Sequence, residues 1–141
     1  MSELLEKARS YEAKKIAATD KESKPLFHIS APAGWINDPN GFSVYNGKIH
    51  LFYQYYPYLR EWGPMHWGHS TTSDMIKWEQ LPCVLAPDEE YDKKGCFSGS
   101  AIEADGKHVL VYTGVTRIKL PDGSEQERQN QCIAFGDGLN Y

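Results

Sequence analysis

The stretch Phe42-Ser-Val-Tyr-Asn-Gly-Lys-Ile-His-Leu-Phe-Tyr-Gln-Tyr55 decides how the chain is read. Asn46-Gly47 lies between two runs rich in aromatic and β-branched residues. Both positions of a two-residue hairpin turn need φ > 0, which Asn and Gly tolerate with least strain. The stretch therefore predicts an antiparallel hairpin, Phe42 to Tyr45 followed by Lys48 to Tyr55. The pattern recurs: Asn46-Gly-Lys-Ile-His-Leu-Phe-Tyr53 matches Asp105-Gly-Lys-His-Val-Leu-Val-Tyr112, 59 residues further on. A second hairpin is predicted there, Phe97 to Glu103 with Lys107 to Thr113, and a further strand over Gln131 to Phe135. The polar run Lys119 to Asn130 reads as a long loop. Repeated antiparallel units suggest the blades of a β-propeller, each typically a four-stranded sheet. Two unrelated hairpins with shared turn chemistry would give the same match. At this spacing 141 residues hold little more than two blades, and a closed propeller needs at least about four. The expected class is all-β, the first blades of a larger propeller.

Ahead of the strands, residues 2–18 read as a helix. Ser2 can cap it, and Glu3 and Glu6 suit its positive end. Leu4, Leu5, Ala8, Tyr11 and Ile16 recur at roughly helical spacing. Residues 19–25 are polar, close on Pro25 and read as a linker. The expected organisation is a helix and linker over 1–25 and an incomplete propeller over 26–141.

Composition narrows the function classes. Hydrophobic residues make up 40% and charged residues 24%, ordinary for a globular domain. Net charge is −4 with no basic stripe, so nucleic acid is not an expected partner. The start, Met1-Ser2-Glu3-Leu4-Leu5-Glu6-Lys7, lacks the basic and apolar regions of an export signal, and no apolar run is long enough to span a membrane. Cys83, Cys96 and Cys132 are odd in number and show no CxxC spacing, which reads as reduced core residues. A cytoplasmic location is the expectation.

The chemistry concentrates in Gly34-Trp-Ile-Asn-Asp-Pro-Asn-Gly41. Asp-Pro-Asn-Gly by itself suits a type I turn. Trp35 and Asn37 add a flat apolar wall and an amide beside the Asp38 carboxylate, and the turn enters a strand at Phe42. The segment resembles the signature of glycoside hydrolase family 32, the invertases and related fructosidases. The resemblance continues in order through Leu51-Phe-Tyr-Gln54, Trp62-Gly63, His66-Trp-Gly-His69, Lys77-Trp78, Leu81-Pro82 and Phe97-Ser-Gly-Ser100, over about residues 26–136. The helical start is similar to that of bacterial sucrose-6-phosphate hydrolases.

The resemblance implies a five-bladed β-propeller followed by a β-sandwich. It implies hydrolysis of a terminal β-D-fructofuranoside, of sucrose or sucrose-6-phosphate, with retention and without metal or cofactor. Asp38 would be the nucleophile. Trp35, Asn37 and, through its backbone, Ile36 would shape the fructosyl subsite. Gln54 would bond sugar hydroxyls, Trp62 would line the leaving-group side, and Phe97 and Ser98 would close the fructose pocket. His66 and His69 lie three apart, but no further ligand is placed for a metal; they read as structural hydrogen-bonding groups. His28, His50 and His108 have no distinguishing context.

Two departures stand out. Tyr56 occupies a position where many relatives have Asn, which puts leaving-group preference in question. The family's Arg-Asp-Pro and Glu-Cys motifs, its transition-state stabiliser and acid/base, do not occur in residues 1–141 and are expected beyond Tyr141. The chain is therefore expected to be inactive alone and to associate through unpaired blade edges. A non-catalytic sugar-binding or assembly fragment is the alternative reading; a fructan-degrading exo-enzyme is a third.

Overall fold

The computed structural model describes residues 1–20, 22 and 24–141. Lys21 and Ser23, within the expected linker, lie outside the described residues. Both hairpin turns form as their sequences require. Asn46 and Gly47 take φ of 50° and 72°, and Asp105 and Gly106 take 50° and 71°, so paired left-handed residues match the twist of the flanking strands. Four strands, β1 (Trp35–Tyr45), β2 (Lys48–Tyr56), β3 (His66–Thr72) and β4 (Glu79–Leu85), form one antiparallel sheet in chain order. Strands β5 (Gly95–Ala104), β6 (Lys107–Lys119) and β7 (Glu125–Gly136) form a second. The leading strands β1 and β5 lie side by side. The two sheets are successive propeller blades, and the repeat in the sequence is a repeat in space.

One expectation is overturned. The run Lys119 to Asn130 is not a long loop. β6 and β7 stay paired from Thr116↔Arg128 to Lys119↔Glu125, and residues 120–124 alone make the turn. This end of the ladder is largely exposed, and Arg117 pairs with Glu125 at 3.5 Å. Alternation of apolar and polar residues marks a strand only where one face is buried, so a solvated ladder carries no such mark.

Helix α1 (Glu3–Ala18) is capped by Ser2, whose Oγ accepts from the Leu5 N–H. It docks through a narrower stripe than expected. Leu5, Ala8 and Glu12 are buried, while Leu4 and Ile16 are exposed. Leu5 and Ala8 pack on Tyr53, Tyr55, Cys83 and Ala86. The buried polar groups do the rest. Glu12 Oε2 accepts from the Cys83 N–H at 2.9 Å, and Arg9 Nε donates to the Cys83 carbonyl at 2.7 Å. The helix thus covers part of edge strand β4 with side chains where a strand would use its backbone. Arg9 also donates to the Leu139 carbonyl and to Asn140 Oδ1, tying blade one to the chain after β7. Burial pushes the Glu12 carboxyl up to about 7.

The main core lies between the blades. Phe52, Trp67, Val84 and Leu85 pack against Cys96, Leu110, Tyr112 and Cys132. Because Phe52 faces blade two while Tyr53 and Tyr55 face α1, β2 is buried on both sides. The three cysteines are free and buried. Three imidazoles continue this interface. His50 Nδ1 lies 2.9 Å from His69 Nε2, and the His50 and His108 rings meet edge to face at 4.8 Å. His108 is held by Ser43 Oγ at 2.9 Å and by the Tyr141 hydroxyl at 2.6 Å. His66 lies outside this group, with Nδ1 2.9 Å from the Pro64 carbonyl.

Close packing of β5 on β6 gives a sharp prediction. A Cβ on Gly99 would lie 2.0 Å from the Val111 carbonyl oxygen and 2.8 Å from Tyr112 Cα. Backbone cannot swing aside, so Gly99→Ala should destabilise by at least about 3 kcal/mol. Gly47→Ala, at φ +72° in open space, should lose only about 1–2 kcal/mol. Urea unfolding midpoints decide it: equal losses would refute the packing argument.

Candidate active site

The Trp35–Gly41 segment lies inside β1, not in a turn ahead of a strand. Ile36 pairs with Tyr55 and Pro39 with Tyr53. Asn37 and Asp38 therefore stand opposite the single residue Gln54. This is a β-bulge, which bends the strand and re-aims its side chains. A second irregularity follows between Asn40 and Ser43, with Gly41 at φ +54°. The local sequence explains both. Pro39 has no N–H for the ladder, and Gly41 accepts the left-handed backbone. A Cβ there would also lie 2.7 Å from Phe52 Cδ2. The Asp38 carboxylate is left exposed on the bulge.

Strand β5 bulges too. Phe97 pairs with Thr113 and Gly99 with Tyr112, so Ser98 is the extra residue. Both leading strands are thus distorted where candidate residues sit, and Gln54 joins them. Gln54 is buried, and its Nε2 donates to the Cys96 carbonyl at 3.0 Å. Trp67 Nε1 donates to the next carbonyl, that of Phe97, at 3.2 Å. One N–H of the Gln54 amide is therefore committed to the blade interface.

The remaining candidates divide. Trp35 Nε1 donates to Asn37 Oδ1 at 2.8 Å, which locks the Asn37 amide beside Asp38. Trp62, on the connection between β2 and β3, meets Phe97 edge to face at 6.2 Å. That connection is anchored to β5, since Cys96 N–H donates to the Met65 carbonyl. Ser98 is exposed next to Phe97. The Ile36 side chain packs, like Ile29 and Ala31, against the cluster under the helix. Tyr56 sits under the Trp62-Gly63 step, its ring filling the space a Cβ on Gly63 would need.

Asn40 was not singled out from the sequence, although it belongs to the motif. It is buried, and neither amide atom has a partner. It lines a cleft between β1 and β5 with Gly99 and Ser100. Its place in the motif was the only signal available.

Trp62 is 54% exposed yet holds its ring against Phe97. An exposed ring lying on a half-buried one contributes little to a core. Trp62→Ala and Phe97→Ala should therefore lower kcat/KM at least about tenfold in the whole protein, with the Trp62 variant melting within a few degrees of the parent. Lost stability with intact kinetics would assign the pair to packing.

Known proteins are similar in sequence and in fold. A profile of the glycosyl hydrolases family 32 N-terminal domain matches residues 28–140. The sucrose-6-phosphate hydrolase of Escherichia coli is 48% identical over 118 residues, 83% of this chain and 25% of that protein. The levanase of Bacillus subtilis (strain 168) is 48% identical over 136 residues, 95% of this chain and 20% of its own length. A Bombyx mori family 32 β-fructofuranosidase superimposes with a TM-score of 0.82 at 45% identity, covering 96% of this chain and 28% of that one. A mutant of the same silkworm protein has been solved in complex with sucrose. The chain spans about a quarter of the length of the relatives it matches. Bulged leading strands, an ordered set of motifs and this similarity agree, and the chain belongs to glycoside hydrolase family 32, within the N-terminal propeller domain.

Proposed function

We propose that the whole protein hydrolyses the terminal β-D-fructofuranoside of sucrose or sucrose-6-phosphate, with Asp38 as nucleophile. The observation that carries this reading is the β1 bulge, which holds Asp38 exposed opposite Gln54 and beside the locked Asn37 amide. An ionised carboxylate there attacks the anomeric carbon of the fructosyl unit. The developing charge on the ring is cationic, so a fixed anion lowers the barrier as well as forming the covalent bond. Trp35 and Phe97 supply apolar walls, and Asn37 and Gln54 supply the polar contacts that orient a sugar.

Retention needs a second carboxyl about 5–5.5 Å from the first, to protonate the leaving oxygen and then activate water. No residue of 1–141 is assigned that role, so residues 1–141 alone are expected to show no turnover. A test is proton NMR of sucrose hydrolysis by the whole protein. β-Fructofuranose should be released first and then mutarotate; initial release of the α anomer would refute the retaining mechanism. The second reading, a sugar-binding or assembly fragment, rests on that same unassigned carboxyl. It is decided by the parent reading frame: continuation into Arg-Asp-Pro and Glu-Cys segments supports the hydrolase, and their absence supports the fragment. The outer edge of β7 has no partner strand among the described residues, and association of residues 1–141 through it would appear in sedimentation. Among the described residues no helix is long and apolar enough to cross a membrane.

A further inference from the structure

Asp92 is a buried carboxylate that the mechanism above does not use. It lies in the connection between β4 and β5 and is fully buried. Among the described residues no ion pair includes it. A carboxylate buried without a cation opposes folding, and burial raises its pKa. An apolar side chain of similar size would pack there with a smaller penalty.

Its partners come from three segments. Oδ1 accepts from the Glu89 N–H at 2.9 Å, within its own turn. Oδ2 accepts from the Tyr112 hydroxyl of β6 at 2.8 Å, and the Cys96 thiol of β5 lies 3.7 Å from the same oxygen. The Asp92 carbonyl accepts from the Gly95 N–H at 2.7 Å, which closes the turn onto the start of β5. Room for the side chain is made on β6. A Cβ on Gly114, the register partner of Cys96, would lie 3.1 Å from Asp92 Cβ.

These contacts bracket the β5 bulge. Cys96 stands just before Phe97 and Ser98, and Tyr112 is the register partner of Gly99, just after them. One carboxylate oxygen thus reaches both ends of the bulge. Cys96 is also the residue on which blade one is fastened. Its N–H donates to the Met65 carbonyl, and its carbonyl accepts from Gln54. Phe97 and Ser98 are the residues expected to close the fructose pocket. A bulge released at one end would let them drift, and small misplacements in a site cost large factors in rate.

We propose that Asp92 is a positioning residue: its carboxylate clamps Cys96 to Tyr112 and so fixes the bulge that presents Phe97 and Ser98 to the sugar. The clamp is a matter of geometry alone. That the ligand is a fructosyl unit rests on the proposed fructosidase reading.

The test has two arms. Asp92→Asn keeps the shape but leaves one oxygen for three donors. In the whole protein it should lower kcat/KM for sucrose about tenfold. The deciding measurement repeats it in a Phe97→Ala/Ser98→Ala background. There the loss should shrink below about threefold, because the residues through which Asp92 acts are gone. An equal loss in both backgrounds would overturn the proposal and assign Asp92 to general packing, and so would an unchanged kcat/KM. Tyr112→Phe, which loses one hydroxyl, carries the same cycle if Asp92→Asn does not fold. The second arm reads the clamp by amide hydrogen exchange, with no assay of turnover. In the folded variant the amides of residues 97–99 should exchange at least about tenfold faster, with those of the β1–β2 hairpin unchanged. Unchanged exchange at 97–99, or an equal rise throughout both blades, would overturn the clamp. A protein that cleaves no fructoside yet shows this local release would refute the hydrolase reading and leave the clamp standing.

Discussion

In the whole protein, Asp38→Asn should lower kcat by about 10³-fold or more and leave the melting temperature within a few degrees. The substitution keeps the shape and removes the charge, and with it the covalent intermediate. The fold has little reason to respond. Asp38 is exposed, and the bulge that presents it is built by Pro39, Gly41 and the pairing of Ile36 and Pro39 with Tyr55 and Tyr53. Losing Gln54 would act differently. Its amide bridges the blades to Cys96, so Gln54→Ala should lower both activity and stability. Near-normal turnover of purified Asp38→Asn protein would rule out the nucleophile. An equal loss of activity and of stability would point to a structural role instead.

The second large effect is on stability below neutral pH. The unfolded imidazoles take up protons near pH 6.5, the ordinary histidine value. In the folded chain burial holds His66 and His108 down to about 4 and His69 to about 2, and it lowers His50 as well. His50 and His108 add to the effect on His69, since a charge on either opposes a charge on it. Below pH 6.5 the unfolded chain therefore binds more protons than the folded one. Stability is full above that pH and is lost as pH falls through the interval from 6.5 to 4. His66, His69 and His108 each account for at most about 1.4 kcal/mol per pH unit between their unfolded and folded values.

Glu12 works in the opposite sense. Its folded value of about 7 lies above the unfolded 4.5, so it gains stability as pH falls across part of the same window. Asp92, also raised by burial, acts likewise. The four imidazoles outweigh these two carboxyls in number. Urea midpoints should fall between pH 7 and pH 5, and His69→Gln should flatten the fall. Glu12→Gln should steepen it by removing the opposing group. A midpoint that is flat or rising from pH 7 to pH 5 would overturn this account of the blade interface.

The acid-sensitive interface was not legible in the sequence, although all its residues were. His50 and His69 meet across β2 and β3 of blade one, and His108 from β6 joins them only when the two blades close on one another. His66 and His69 drew attention because they are three apart, yet they do not share an environment. His66 turns to the Pro64 carbonyl and His69 to His50. On a strand, residues three apart point to opposite faces, so that spacing brings no pair together.

What the sequence determined by itself was local. Asn46-Gly47 and Asp105-Gly106 specify their turns because few other residue pairs adopt two consecutive left-handed conformations. Ser2 specifies the start of α1 because a hydroxyl at that position satisfies a helix N–H. The motif residues Trp35 to Gly41 marked the candidate site because their types and order match the family 32 signature. The tertiary structure decided what those elements do. It placed the motif inside β1 as a bulge opposite Gln54, packed the Ile36 side chain against the helix cluster, and buried Glu12 on the edge of β4. It also kept the solvated end of β6 and β7 paired where polarity read as a loop. Gln54 and Glu12 depend on partners distant in the chain, 42 residues for Gln54 with Cys96 and 71 for Glu12 with Cys83. Backbone preference acts between neighbours, whereas burial and hydrogen-bond satisfaction are set by whatever packing brings alongside. The turns and the helix cap could therefore be read from the chain, and the active-site geometry could not.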